Sequence, residues 1–496
     1  MKTIKFLAIY LLFVTVLQAQ TENIFWNRDF WKTNPTVASI EQKILEGNNA
    51  TTLNPYGFDA VVYAILAKTP NEVIKYLLSK KGNDVNKLTH DKRTYIFWAA
   101  YKGNFELMTY LISKNARMDL KDSHHFSVLT FAAVAGITNL DIYDLCIENG
   151  IDITTDKNED GANALLLLIP HLKNFEIVDY FTKKGLGIDS QDKDGNGVFN
   201  YTAKAGNKAM LEKIIEKGTP YNKLNNNGGN AMLLATRGSR SGYNSLAFFK
   251  YLESLRVTPN ITNKDGVTPL HNLAYGNKDL GTFNYFLSKG VDANQVDKKG
   301  NTALINASGR NSLEIITKLA LNTKNVSHVN NNGQSALTKA ISNSPKIVSF
   351  LIKKGADVHV VDTKGNNLVY YLIKSFSEEN QEAFNQKIKA LSRNGLNIKT
   401  VQKDGSTLFH LAVNTNNLEL LKYVNTLGVD VNAKNNDGLT ALHLEAMKAK
   451  HSKTLKYLLA IGANKDIKTD FDESVYDLAK ENELLRKNNI DINFLK

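Results

Sequence analysis

A chain of 496 residues, 43% hydrophobic and 22% charged, has enough apolar material for a large folded core, and this composition excludes intrinsic disorder. A formal charge of +12 admits anionic partners, and a single cysteine excludes an internal disulfide framework.

The chain opens on a different material from the rest. Lys2 and Lys5 precede an apolar run from Phe6 to Leu17, and Leu17-Gln18-Ala19-Gln20 offers a small-residue cleavage site. This pattern predicts a secretory signal peptide over residues 1–19, cut after Ala19 or Gln20. The rival reading, a membrane anchor, needs about 20 apolar residues and finds about a dozen. No Cys follows Ala19, which argues against a lipoprotein. No later run suits a bilayer, so no membrane insertion is expected after cleavage. The leader's two lysines leave the mature chain at 12 − 2 = +10.

Residues 20–50 read as an irregular N-terminal capping unit. Ile24-Phe25-Trp26 and Phe30-Trp31 precede a helical stretch from Thr36 to Glu46 with Ile40, Ile44 and Leu45 on one face.

From residue 51 to 468 one pattern recurs. Its clearest copy is Asn263-Lys264-Asp265-Gly266-Val267-Thr268-Pro269-Leu270-His271. Asn263 to Gly266 has β-turn chemistry. Thr268 suits a helix N-cap, Pro269 the first helical position and Leu270 the core. The Gly266 slot recurs at Gly57, Lys92, His125, Gly161, Gly195, Gly228, Gly300, Gly333, Gly365, Gly405, Gly438 and Asp472. A spacing near 33 residues, with a turn and two helices, predicts a solenoid.

Two further columns obey the same physics. Two residues after each slot stand Asp59, Thr94, Ser127, Asn163, Gly197, Asn230, Thr268, Thr302, Ser335, Asn367, Thr407, Thr440 and Ser474, all in the N-cap set. Two further on stand Val61, Ile96, Leu129, Leu165, Phe199, Met232, Leu270, Leu304, Leu337, Val369, Phe409, Leu442 and Tyr476, all able to face a core. A second amphipathic helix follows in each unit, as in Lys346 to Ile352, and commonly ends in a Gly such as Gly290 or Gly355.

The sequence thus resembles the ankyrin-repeat family. The motif Asp-x-x-Gly-x-Thr-Pro-Leu-His is met at Gly266–His271, with Asn at its first place. It is nearly met at Gly438–His443, where Ala441 replaces Pro, and at Gly405–His410, where Leu408 does. The resemblance implies an all-α solenoid of about thirteen stacked helix-turn-helix units. It also implies a concave surface of turn tips and first helices that binds proteins, and a bacterial source. In that family the motif imidazole, here His271, His410 and His443, hydrogen-bonds the backbone of a neighbouring loop.

Wide spacings localise two insertions between the helices of a repeat. Residues 237–244 are basic and Gly-rich and read as a mobile loop; residues 375–384 are acidic. Residues 469–496 read as a C-terminal capping repeat and tail. Cys146 falls in a core column of the second helix, which favours a buried small hydrophobe over a reactive thiol.

Little in the chain points to chemistry. Gly185-Leu186-Gly187 starts a dinucleotide fingerprint, but Ser190 stands where the third Gly belongs. There is no nucleophile elbow, His-Glu-x-x-His or phosphate loop. His124 and His125 lack partners at metal-ligand spacing. The lysines at the turn tips sit beside aspartates, as in Lys264-Asp265, so a phosphate-tracking comb is missing and nucleic acid is not expected. No catalytic residue, cofactor or metal is therefore assigned.

The expected function is a non-enzymatic, monomeric scaffold in the periplasm or outside the cell, binding a partner protein on its concave surface. The alternatives are a secreted effector that engages a host protein, or an enzyme with a motif-less site on that face. All three Trp lie in the first hundred residues. Aromatic and Arg side chains dominate interface energies. The partner site is accordingly placed at Tyr56, Phe58, Arg93, Tyr101, Lys102, His124 and Phe126. Of these, Phe58, Arg93 and Phe126 are expected to project from the turn tips. The competing reading has the same aromatics packing against the Trp26–Trp31 cap.

Overall fold

The computed structural model describes residues 23–239 and 241–496. The predicted leader, residues 1–19, lies outside them, as does Arg240 of the first insertion. The described residues form helices and turns with no β-strand, only isolated bridges such as Val329 with Ser335. None of these helices is long and apolar enough to cross a membrane. The chain divides into two compact units. One comprises the described residues up to Thr202 together with Asn207–Pro220; the other comprises Ala203–Gly206 and Tyr221–Lys496.

The repeat column is visible first in the backbone. Every residue in the Gly266 slot has φ between 59° and 84°. That is the left-handed region, which favours Gly. Lys92, His125 and Asp472 adopt it too, at 61°, 59° and 64°. At Gly266 a second constraint applies: an added Cβ would lie 2.2 Å from the carbonyl oxygen of Val296 in the next turn. Successive turns are that close because they share backbone hydrogen bonds, such as Lys298 N to Asp265 O at 2.7 Å and Asn331 N to Lys299 O at 2.9 Å.

The N-cap column then starts each first helix. Asp59, Asn163, Asn230, Thr302 and Thr440 each accept the amide of the residue three further on. The column is not uniform: the Thr268 and Thr407 hydroxyls meet Nδ1 of His271 and His410 instead, and that of Thr94 is buried with no partner. The core column from Val61 to Leu442 is at most 1% exposed. Tyr476, expected in the core, is half-buried instead. There the chain turns into the helix Glu483–Lys487 rather than another repeat, and the Lys496 ammonium lies 5.2 Å over the Tyr476 ring.

Stacking follows sequence order within each unit. The first helix Ala303–Ser308 packs on the next first helix, Ala336–Ala340, and on its own second helix, Leu313–Leu321. Second helices pack likewise, Leu280–Ser288 on Leu313–Leu321. They close on left-handed glycines, Gly290 at 84° and Gly355 at 88°. Cys146 is fully buried, and burial pushes its thiol pKa up, so it stays protonated.

The motif histidines tie neighbouring repeats together. Nε2 of His271, His410 and His443 lies 3.0, 2.9 and 2.9 Å from the carbonyls of Asn301, Leu439 and Ile467. Facing a carbonyl, Nε2 must carry the proton. Nδ1 is then an acceptor, taking the backbone N–H of Thr268, Thr407 or Thr440 at 3.0–3.1 Å. Burial lowers the pKa of all three, which favours this neutral tautomer.

The Gly-rich insertion is anchored. Ser239 N donates to Gly242 O at 2.8 Å, and the Asn244 amide donates to Ala235 O at 2.9 Å.

Candidate functional site

The predicted residues lie on the turn tips and first helices of the N-terminal unit, and the structure gathers them into one aromatic cluster. The tips are shaped by side chains that hold their own turn. Asp122 Oδ1 accepts the amides of His124 and Phe126, both at 2.9 Å, and Asn54 Oδ1 accepts those of Tyr56 and Phe58, both at 3.0 Å. Ser123 N donates to Asp91 O, and His90 N donates to Gly57 O, so these tips form a continuous ladder.

At the outer end Tyr56 is 75% exposed. Its carbonyl lies 2.8 Å from Nδ1 of His90, and that imidazole stacks on Phe58 with ring centroids 4.7 Å apart. Phe58 is half-buried, and it also contacts Trp98 at 5.8 Å. Trp98 donates its Nε1–H to Thr89 Oγ1 at 2.8 Å, which fixes the indole under the turn.

Arg93 departs from expectation. It does not project from the tip; it is 8% exposed. Its Nε and one terminal nitrogen donate to Asp122 Oδ2 at 2.8 and 2.7 Å, and the other donates to Asp91 Oδ2 at 3.0 Å. The guanidinium lies 4.3 Å from the centre of Phe131 and 5.3 Å from that of Trp98. The reason is electrostatic. Asp122 is 4% exposed, because it folds back to hold its turn, and a buried carboxylate demands a buried counter-charge. Arg93 thus keys two tips and an aromatic floor together instead of offering its charge to solvent.

Tyr101 stacks on Phe131 at 5.2 Å and 26°, and Phe126 meets the same ring edge-on at 6.1 Å. Both are half-buried. Tyr101 is the last residue of the helix Tyr95–Tyr101, and Lys102 is its C-cap. The Lys102 ammonium lies 5.9 Å over the Tyr101 ring, and burial, with the nearby Lys68, lowers its pKa. His124 is exposed, with Nε2 3.5 Å from Asp91 Oδ2. The N-terminal tryptophans have their own partners: Trp31 Nε1 donates to Phe25 O at 3.0 Å, and Trp26 Nε1 to Thr52 O at 3.1 Å.

Sequence reading missed His90, Asp122 and Phe131. Phe131 had a signal, because it stands six residues after its slot, the column of Tyr63 and Trp98. Asp122 had none beyond turn chemistry. Chemically the cluster offers one largely exposed ring, several half-exposed ring edges and an ammonium. Among the described residues, no three His, Cys, Asp or Glu side chains are placed to hold a metal.

A family model of ankyrin repeats matches residues 61–157, 239–316, 270–362 and 365–469. Alpha-latroinsectotoxin-Lt1a of Latrodectus tredecimguttatus is 24% identical over 363 residues, covering 65% of this chain and 23% of the toxin. Putative ankyrin repeat protein L271 of Acanthamoeba polyphaga mimivirus is 21% identical over 284 residues, 52% of this chain and 36% of that protein. Phosphocholine transferase AnkX of Legionella pneumophila is 24% identical over 280 residues, covering 56% and 26%. The chain therefore spans only 23–36% of the length of these relatives.

Proposed function

Because the chain belongs to the ankyrin-repeat family, we propose that it is a non-enzymatic scaffold that binds a partner protein through its turn tips and first helices. The observation that carries this reading is the cluster built on Arg93. Buried ion pairs and rings hold it rigid from below, while Tyr56 stands 75% exposed above. A preformed aromatic surface loses little entropy on binding, and rings of this kind anchor interfaces. Lys102 at the margin steers an acidic partner.

The apolar leader supports a place for the mature chain in the periplasm or outside the cell. Residues 20–50 and 469–496 serve in this reading as the ends of the repeat array. A chain that binds one partner through one tip cluster works as a monomer. Phosphocholine transferase AnkX is named an enzyme, but this chain spans 26% of its length. The match therefore lends no catalytic residue to the reading.

Arg93 is structural, so the test uses the exposed members. The mature chain captures its partner from its own envelope or culture medium, and the affinity of that partner is then measured for Tyr56→Ala combined with Lys102→Glu. The expected loss is about tenfold or more, at an unchanged melting temperature. An unchanged affinity would move the binding site away from this cluster.

A further inference from the structure

The acidic insertion at residues 375–384 has no role in the site above. It lengthens its repeat by a short 3-10 turn, Glu378–Asn380, and by a second helix of 13 residues, Gln381–Arg393, where the preceding second helix, Pro345–Lys353, has nine. The helix is pinned: the Lys387 ammonium, 6% exposed, donates to Ile341 O at 2.7 Å. Between this element and the next second helix, Leu418–Thr426, lies a groove of about 390 Å³.

Its walls are aromatic and its rim is acidic. Phe376 and Tyr423 line it, and both are backed by Phe384, 2% exposed, which meets them edge-on at 5.1 and 5.4 Å. Phe376 and Tyr423 are half-exposed, their centroids 6.4 Å apart. Glu378 and Glu419 stand at the mouth with Gln381. Glu419 accepts the Lys422 ammonium at 2.7 Å, and both side chains are about half-exposed. Glu378 makes no direct ion pair among the described residues, although its charge, with that of Glu419, acts on the Lys422 ammonium.

We propose that this groove binds an arginine side chain of a partner polypeptide, stacked on Phe376 and Tyr423 and forked by Glu378 and Glu419. Ring faces attract cations, and a planar guanidinium both stacks and donates to two carboxylates, which an ammonium does less well. The groove is also too open for a free small molecule. Such ligands bury roughly 70–90% of their surface, and here the carboxylates face solvent. An occupant of this shape must be held by contacts elsewhere, as a side chain on a bound protein is. Only the source of the side chain rests on the scaffold reading. Lys422 acts as a resident competitor, because it occupies Glu419 until the guanidinium displaces it.

The full chain labelled with 3-fluorotyrosine, with the Tyr423 signal assigned by Tyr423→Phe, is titrated with the peptide acetyl-Gly-Gly-Arg-Gly-Gly-amide. A saturable shift is expected. The citrulline peptide, of equal shape but uncharged, should bind about tenfold more weakly, as loss of charge-assisted bonds requires. Glu378→Gln weakens binding, while Lys422→Gln strengthens it about two- to threefold by freeing Glu419. This gain cannot come from misfolding. Equal binding of the citrulline peptide, equal binding of free agmatine, or a weakening by Lys422→Gln would each overturn the proposal. If the peptide fails to bind a chain that still holds its captured partner, the groove alone is refuted. If the peptide binds a chain that captures no partner, the scaffold reading alone is refuted.

Discussion

Arg93 and Asp122 depend on each other, and neither tolerates loss of its partner. Arg93→Ala leaves the Asp122 carboxylate buried and unpaired, so stability should fall by about 3–5 kcal/mol in denaturant unfolding. A loss below about 1 kcal/mol would mean that the pair is solvated. Lys92 shows the opposite balance. It holds φ of 61° in a slot that Gly fills in most repeats. A non-Gly residue there carries strain of roughly 1 kcal/mol, partly offset by the freedom Gly has in the unfolded chain. Lys92→Gly should therefore be neutral or stabilising, although most substitutions to Gly destabilise. The three motif histidines set a pH response. Burial lowers their folded pKa below the unfolded value of about 6.5. The unfolded chain then binds more protons than the folded one just below that pH. Their contribution is complete above about pH 6.5 and is lost as pH falls toward the folded values. His271→Gln with His443→Gln should reduce the drop in unfolding midpoint between pH 7 and pH 5; an unchanged drop would assign it to other groups.

At the scale of the element, much of the architecture was legible because turn, cap and core residues recur in register. The left-handed slot was readable from glycines and held even where Lys92, His125 and Asp472 fill it. What escaped was the fate of side chains whose partners lie in another repeat. Arg93 follows its slot in the position of the half-exposed Phe58 and Phe126, and no local pattern says that Asp122, 29 residues away, will draw it inward. Tyr476 read as core because its column is core elsewhere; only the stacking order shows that the short helix Glu483–Lys487 follows it in place of a repeat's second helix. The caps make a testable contrast. The Thr440 hydroxyl accepts the His443 amide at 3.3 Å, whereas that of Thr94 is buried without a partner. Thr440→Ala should cost about 1 kcal/mol, and Thr94→Ala should cost nothing or stabilise, because an unpaired buried hydroxyl is itself a penalty. Equal losses in thermal unfolding would mean that Thr94 finds a partner in solution.

At the scale of the whole molecule, contacts between neighbouring repeats carry the stability, so it need not be lost in one step. The two compact units give this a form. Leu129→Ala in the first and Leu270→Ala in the second each empty a fully buried site and should cost about 2–5 kcal/mol. In calorimetry each should shift a different part of the transition; a single transition moved equally by both would show that the chain melts as one body. The central claim is that the Arg93-keyed tips are where a partner protein binds. Hydrogen exchange of the full chain, free and with its captured partner, tests it most directly. The account predicts added protection at residues 54–58, 89–93 and 122–126; protection confined to the second helices, with these tips unchanged, would contradict it.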